Sequence, residues 1–253
     1  MKLGIMQPYF FPYLGYFQLL VNCDLFIYFD IVKYNKKSWM ARNRILNSNK
    51  LNQSQYINVP ILKSDPKTLI KDVRINNSIA WKNKIIGQLT GYKRLGAPYY
   101  DDVKHLIENA FLSQADSLNE LNITLIDIIV GYLGIEFSYK KASSIDMGAF
   151  EPKKPGDWAL FISSKMKADE YINPYSGYEI FDESAFDEKA IKLSFLVPKL
   201  SPYRQVRGLP FVEAMSILDV LMFNSKSEVV DMLCNDFTLM GYQSTEKRWS
   251  KKV

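Results

Sequence analysis

Residues 3–16 read Leu-Gly-Ile-Met-Gln-Pro-Tyr-Phe-Phe-Pro-Tyr-Leu-Gly-Tyr, and this stretch decides the fold. The apolar run over residues 2–6 predicts a buried strand, an aromatic loop follows, and a helix is expected over residues 15–22. A second apolar run over residues 25–29 predicts the next strand. A strand, a helix and a strand in this order favour parallel pairing, and nearly continuous apolar strands favour burial on both faces.

The rest of the chain alternates between strand and helix patterns. Residues 30–51 are polar and basic and predict a long loop. Residues 56–62 and 71–76 alternate well enough to predict strands that could pair antiparallel. The helical section extends over about residues 79–133, and its best helix, over residues 117–133, has apolar residues at three- and four-residue spacing. Further strands are predicted over residues 136–140, 171–172 and 192–197, and further helices over residues 155–167, 213–223 and 227–234.

These patterns predict a single α/β domain over residues 1–240, with the helical section inserted into it. The sheet is expected to be mostly parallel and Rossmann-like, of the nucleotidyltransferase-like kind. Residues 241–253 are predicted to form a basic, solvated C-terminal tail. The sequence has no internal repeat, low-complexity linker or sharp shift in composition that would mark a second domain.

The composition excludes several classes of function. The 253 residues have a net charge of +5 without a dense basic stripe, so we expect no nucleic-acid partner. The two cysteines lie far apart and no signal-peptide pattern is present, so we expect the protein to be located in the cytoplasm. No apolar run approaches the roughly 20 residues that a membrane span needs. His105 is the single histidine, and the glycine-rich dinucleotide motif and the P-loop motif are both missing. We therefore expect no metal and no cofactor.

The loop between the first strand and the first helix is the leading candidate for a binding site. It leaves the carboxyl end of a parallel strand, where ligands of open α/β sheets bind, and the next helix offers free N–H groups to an anion. Gln7, Tyr9, Tyr13 and Tyr16 bring polar tips, and Gly15 with two prolines fixes the path of the loop. The alternative is that the rings only cap the core.

The end of this loop has the shape of a known signature. Tyr13-Leu14-Gly15-Tyr16 matches the HxGH pattern of nucleotidyltransferases, with tyrosine in place of both histidines. In those enzymes the histidines stabilise charge on the phosphates, whereas tyrosine donates a hydrogen bond but is neutral at pH 7. The likeness supports a shared nucleotide-binding fold and not adenylyl transfer by these residues.

A second group of candidate residues lies around Trp39. Arg42 and Arg44 flank Asn43 and could clamp a phosphate or carboxylate through bidentate hydrogen bonds, while Trp39 could stack on a base or sugar. A solvated basic loop is the alternative explanation. Asp30, at the end of the second strand, is the best candidate for a general base.

Two later segments complete the candidate site. Ser176 and Gly177 follow a short strand, and glycine lets a backbone approach a ligand closely, although an ordinary turn explains them equally well. Tyr203 and Gln205 lie in the loop before the next helix. For Asp219, near the start of that helix, we favour a structural role at the helix dipole or in a buried hydrogen bond.

Several of these stretches also carry a family resemblance: residues 4–19, Trp39, residues 42–45, residues 133–135, Tyr203, Gln205 and residues 216–219. On these residues the sequence resembles the WbqC-like family of bacterial proteins over nearly its whole length. The resemblance implies a role in surface-polysaccharide (O-antigen) biosynthesis, beside enzymes that make nucleotide-linked deoxyamino sugars. The resemblance implies a pathway but no particular reaction. The turn over residues 173–177 departs from the glycine-rich turn that family members more often carry.

We therefore expect an enzyme that acts on a nucleotide-activated sugar, as a transferase of a small acyl or aminoacyl group to an amino sugar. Gln7, Tyr13 and Tyr16 would position the substrate, and Arg42 and Arg44 would hold its anionic part. Two alternatives stay open: a non-catalytic binding or scaffold protein of the same pathway, and an ATP-using relative of nucleotidyltransferases. A homodimer stays open as well.

Overall fold

The structure is a computed structural model that describes residues 1–50, 53–206 and 208–249. The strands in these ranges are β1 (Lys2–Met6), β2 (Leu25–Tyr28), β3 (Arg42–Leu46), β4 (Ser54–Asn58), β5 (Tyr139–Lys141), β6 (Glu170–Pro174), β7 (Lys192–Pro198) and β8 (Phe237–Gly241). The α-helices there are α1 (Leu14–Val21), α2 (Trp81–Leu89), α3 (Gly91–Arg94), α4 (Tyr100–Ala110), α5 (Leu118–Tyr132), α6 (Gly156–Lys165), α7 (Glu183–Asp187), α8 (Ile217–Phe223), α9 (Lys226–Asn235) and α10 (Tyr242–Trp249). Short 3-10 helices span Ile70–Asp72, Ala142–Ser144 and Tyr175–Ile180.

Six of these strands form one sheet in the order β5-β2-β1-β6-β7-β8, and β3 pairs with β4 in a separate hairpin. The first five strands of the sheet are parallel to one another, and β8 runs antiparallel to β7. Starting at β1, the chain adds β2 and β5 on one side and then returns to add β6 and β7 on the other. The reversal lies between β1 and β6, and open α/β sheets leave a crevice at the carboxyl ends of such strands.

Apolar side chains project from both faces of the sheet, because successive residues of a strand point to opposite sides. Phe26 and Tyr28 pack into the larger core with residues of α1, α5, α8 and α9. Leu3 and Ile27 pack into a second core with residues of α6 and α7. The mixed α/β architecture with a mostly parallel sheet is therefore confirmed, and so is the burial of β1 and β2 on both faces.

The amino-terminal strand, helix and strand are confirmed, since β1, α1 and β2 begin and end within one residue of the expected positions. The helical section is also present, in α2, α4 and α5. At the start of α5, the side chain of Ser117 accepts a hydrogen bond from the N–H of Glu120. Gly134 follows the end of α5 with a φ of +71°, which glycine adopts without strain.

Two expectations for the region between β2 and α2 are wrong. Residues 30–51 are not a continuous loop, because they contain β3, which pairs antiparallel with β4. Residues 71–76 form no strand. Their expected antiparallel pairing with residues 56–62 is reduced to one isolated bridge between Ile75 and Ile61, and Arg74 makes a second isolated bridge with Ser117. Buried and half-buried residues alternate over the first four residues of β3, but the buried position 43 is a polar asparagine between two arginines, so the strand is not recognisable from hydrophobicity.

The carboxyl-terminal region contains more regular structure than the sequence pattern predicts. Helix α8 begins at Ile217, later than expected, because the side chain of Ser216 caps it. Strand β8 extends the sheet, and α10 occupies part of the tail expected over residues 241–253. Residues 250–253 of that tail lie outside the described residues. Among the described helices, none is both long and apolar enough to cross a membrane.

Candidate functional site

The loop that leaves β1 forms one wall of a cavity of about 180 Å³. Three lining residues come from this loop, three come from β3 and the segment before it, and one comes from the segment before α8. Five of the seven are site residues that the sequence predicts. The lining residues are Tyr9, Pro12, Tyr13, Trp39, Asn43, Arg44 and Ala214.

Tyr13 is the N-cap residue of α1, and its ring lies across the first turn of that helix. A Cβ atom on Gly15 would lie 2.5 Å from this ring, so glycine is needed there. Burial, with the phenols of Tyr175 and Tyr9 nearby, raises the pKa of Tyr13 to about 12. Burial also raises the pKa of Tyr9. Both phenols therefore keep their protons at neutral pH and can donate to an oxygen of a ligand.

Buried hydrogen bonds from two distant residues fix the path of this loop. The side-chain amide of Asn43 donates to the carbonyl oxygen of Phe10 at 3.0 Å and to that of Phe11 at 2.7 Å. The hydroxyl of Ser216 donates to the same Phe11 oxygen at 2.8 Å. Phe11 has a φ of +41°, which is strained for a residue with a Cβ atom, and these bonds hold it in that conformation.

Further hydrogen bonds tie the segment before α8 to the cavity. The N–H of Ser216 donates to the carbonyl oxygen of Arg44 at 2.9 Å, and the N–H of Ile217 donates to that of Pro12 at 2.8 Å. The guanidinium of Arg44 donates to the carbonyl oxygen of Ala214 at 3.3 Å. These contacts place Ala214 in the cavity wall. The sequence pattern does not indicate this residue, because only tertiary contacts bring it there.

Two arginines on one face of β3 flank the ring of Trp39. The guanidinium carbons of Arg42 and Arg44 each lie 5.8 Å from the centre of this ring. Within the described chain neither arginine forms an ion pair. The Nε atom of each is buried and has no hydrogen-bond partner in that part of the chain. Because an anion stabilises guanidinium groups that have no acidic partner, Arg42 and Arg44 together are suited to hold a phosphate or a carboxylate.

Tyr56, on β4, extends this aromatic and cationic surface beyond the cavity. Its ring centre lies 6.4 Å from that of Trp39, with 24° between the two planes. The guanidinium of Arg42 lies 5.3 Å from the centre of the Tyr56 ring and donates to the carbonyl oxygen of Lys37 at 2.7 Å. The sequence pattern does not indicate Tyr56, because the pairing of β4 with β3 brings it to this place.

Tyr16 lies in the core and not in the cavity. It is 2% exposed, and its hydroxyl donates to the carbonyl oxygen of Gln7 at 3.0 Å. Its geometry gives no support to the expected contact with a substrate, because its polar tip is satisfied inside the protein. Gln7 is half-buried and is not among the residues that line the cavity.

Asp30 is fully buried and accepts several hydrogen bonds. The N–H and the hydroxyl of Ser143 donate to its two carboxylate oxygens at 2.8 and 2.6 Å, and Asn119 donates at 3.3 Å. Asp30 is not among the cavity residues, so its position gives no support to a role as general base. In the part of the chain that the structure describes, no three His, Cys, Asp or Glu residues are grouped to hold a metal ion.

The segment after β6 is a 3-10 helix that begins directly at the end of the strand. A Cβ atom on Gly177 would lie 2.6 Å from the side-chain nitrogen of Asn173, so packing explains this glycine. Neither Gly177 nor Ser176 is among the residues that line the cavity. Tyr175 instead brings this segment close to Tyr13, although the sequence pattern does not single it out.

Tyr203 and Gln205 belong to a buried hydrogen-bond network. The carboxylate of Asp219 accepts from the hydroxyls of Tyr203 and Tyr92, each at 2.6 Å, and from the amide of Gln205 at 2.8 Å. Gln205 also exchanges two hydrogen bonds with the backbone of Val212. Desolvation raises the pKa of Asp219 to about 6, against the opposing effect of its three donors. The buried hydrogen bonding expected for Asp219 is confirmed.

Fold and cavity together define an α/β protein with a mostly parallel sheet and a cavity, lined by phenols and an arginine, where strand β1 ends. The signature of the WbqC-like protein family matches residues 7–231, and the chain belongs to this family. Over 235 residues it is 31% identical to an uncharacterized protein of Mycobacterium tuberculosis, Rv1507c, which covers 92% of this chain and 97% of that one. No solved structure matches the chain.

Proposed function

We propose that this protein binds a nucleotide-activated amino sugar and transfers a small acyl or aminoacyl group to it, in the synthesis of a surface polysaccharide. The observation that carries the proposal is the pair of arginines, Arg42 and Arg44, beside Trp39 at the cavity. A nucleoside diphosphate supplies the anion for these cations, and its base or sugar supplies a flat surface for the indole ring. The family resemblance supports the pathway.

The cavity is suited to one part of such a ligand. Its volume of about 180 Å³ lies below the roughly 300–1,000 Å³ of typical small-molecule sites, so it suits a sugar ring better than a whole nucleotide sugar. The phenols of Tyr9 and Tyr13 would donate to oxygens of the sugar or of the incoming acyl group. The diphosphate would lie between the two guanidinium groups at the mouth of the cavity.

The order of the strands supports a Rossmann-like assignment of the sheet. In nucleotide-binding sheets of this order the ligand occupies the crevice at the point of reversal, which here lies between β1 and β6. Tyr13 follows β1, and Tyr175, which follows β6, lies close to it. A ligand that contacts Tyr13 would therefore lie where such sheets bind nucleotides. We also propose a location in the cytoplasm, and a homodimer stays a proposal.

The two alternative functions have less support from the site. A scaffold protein does not need a cavity lined by phenols and an arginine. An ATP-using relative of nucleotidyltransferases would use both tyrosines of the Tyr13–Tyr16 stretch, whereas Tyr16 is buried in the core. The site therefore favours a small anionic substrate held by Arg42, Arg44 and Trp39.

Removing either arginine is expected to weaken binding of dTDP- and UDP-sugars. A hydrogen bond to a charged group contributes about 1.5–3 kcal/mol, so Arg42→Ala or Arg44→Ala should raise the Kd by about tenfold to a hundredfold. Isothermal titration would measure the Kd, and native mass spectrometry would show which nucleotide sugar is retained.

A matched control for these variants is Arg94→Ala. Arg94 contacts the hydroxyl of Ser48 and is neither a cavity residue nor one of the two arginines beside Trp39, so its removal should leave the Kd unchanged. Unchanged affinity in both Arg42→Ala and Arg44→Ala would contradict the arginine clamp. Saturable ATP binding that depends on Tyr13 would instead favour the nucleotidyltransferase alternative.

A further inference from the structure

The positive charge of the chain is concentrated in one region. Residues 31–74 contain ten Lys or Arg residues and two acidic ones, Asp65 and Asp72. The whole chain has a net charge of only +5, so the remainder is net negative. This asymmetry exceeds what the two arginines beside Trp39 need to attract a small anion.

Backbone contacts bring the parts of this region together. The N–H of Tyr34 donates to the carbonyl oxygen of Thr68 at 2.9 Å, and Lys33 pairs with Leu69 in an isolated bridge. The side chain of Arg42 reaches the backbone of Lys37. Seven lysines of this region are exposed and form no ion pair within the described chain. We call six of them, all except Lys50, the basic face: Lys33, Lys36, Lys37, Lys63, Lys67 and Lys71.

Large apolar side chains are exposed among these lysines. Trp39 is 36% exposed, Tyr56 is 45% exposed and Leu62 is 49% exposed. Indole and phenol rings are enriched where a protein meets the interface of a bilayer, because one end is apolar and the other is polar. An exposed leucine beside Lys63 adds apolar surface that an aqueous anion would not use.

We propose that the basic face binds the surface of an anionic phospholipid bilayer. Clusters of four to eight Lys and Arg residues are typical of such binding, and each strengthens it roughly fivefold. A single-stranded nucleic acid is less well matched. Leu62, which is 49% exposed, offers neither a ring nor a hydrogen-bonding group to a base.

The test is sedimentation of the full chain with vesicles, in the absence of any nucleotide sugar. One set contains phosphatidylcholine alone, and the other contains equal parts of phosphatidylcholine and phosphatidylglycerol. We expect binding to the anionic set only, and weaker binding as salt is added. The variant Lys36→Glu/Lys37→Glu/Lys67→Glu should bind at least about a hundredfold more weakly. The matched control is Lys84→Glu/Lys153→Glu/Lys189→Glu, which changes the net charge equally at exposed lysines elsewhere and should bind like the wild type.

A second variant tests the apolar part of the surface and keeps the test valid if the triple variant fails to fold. Leu62→Ser should weaken vesicle binding several-fold, because the exposed leucine no longer enters the interface. Equal loss in both triple variants would show a net-charge effect alone and would overturn the proposal. So would absence of binding to anionic vesicles by the wild type, or tighter binding to a polyuridylate oligonucleotide than to vesicles.

Discussion

Asp219→Ala is expected to lower the free energy of unfolding by about 3 kcal/mol at neutral pH. The hydroxyls of Tyr92 and Tyr203 and the amide of Gln205 all donate to this one carboxylate, so the substitution removes the acceptor of all three. Each orphaned buried donor costs about 1–3 kcal/mol, and relief of the buried charge offsets part of that sum. Urea unfolding followed by circular dichroism would measure the change.

The same carboxylate gives the protein a pH-dependent stability. The pKa of Asp219 is about 6 in the folded state and 3.8 for the unperturbed side chain. Between these values the folded chain binds more protons than the unfolded chain, so the free energy of unfolding falls as pH rises from about 4 to about 6. The shift corresponds to about 3 kcal/mol. Asp219→Asn does not titrate, so the stability of the wild type relative to this variant should fall by that amount over the window.

A matched control for the Asp219 variants is Asp187→Ala, at an exposed position near the end of α7. It should change the free energy of unfolding by less than about 0.5 kcal/mol. If wild type and Asp219→Asn gave parallel stability curves between pH 4 and pH 7, the carboxyl would not carry the raised pKa. If Asp219→Ala were as stable as the wild type, the network would not hold the loop before α8.

Local patterns were enough to predict the strand and the helix on either side of the loop that leaves β1, but not β3, which also lines the cavity. The apolar runs and the helix between them are continuous in the sequence, so β1, α1 and β2 follow from periodicity alone. The order of the sheet does not follow in this way. β6 lies beside β1 because the chain reverses direction across the sheet, and no local pattern records that step.

The site residues predicted from the sequence fall into two groups, those that line the cavity and those that are buried elsewhere. Tyr13, at the start of α1, and Arg44, on β3, both line the cavity, and their role in binding stays a prediction. Tyr16 and Asp30 are buried and paired, and a sequence pattern does not distinguish a polar tip that meets a ligand from one that meets a backbone carbonyl or a neighbouring donor. Ala214 carries no chemical signal at all, and only tertiary contacts place it in the cavity wall.

Asn43→Asp is expected to lower the free energy of unfolding by more than about 3 kcal/mol, although it changes the size of the side chain very little. The amide nitrogen of Asn43 donates to the carbonyl oxygens of Phe10 and Phe11. A carboxylate would instead place a buried negative oxygen against both acceptors, and neither could pair with it. The strained conformation of Phe11 would also lose a restraint.

Urea unfolding at several pH values would measure this effect and separate its two causes. The penalty of Asn43→Asp should shrink as the pH falls, because a protonated carboxyl can donate one of the two lost hydrogen bonds. Asn58→Asp, at an exposed position of β4 opposite Arg42, makes the same chemical change and should be close to neutral. A stable Asn43→Asp variant with an unchanged pH profile would mean that the loop does not depend on this amide. Loss of stability at neutral pH with recovery in acid would instead identify Asn43 as the residue that holds Tyr9, Pro12 and Tyr13 in the cavity wall.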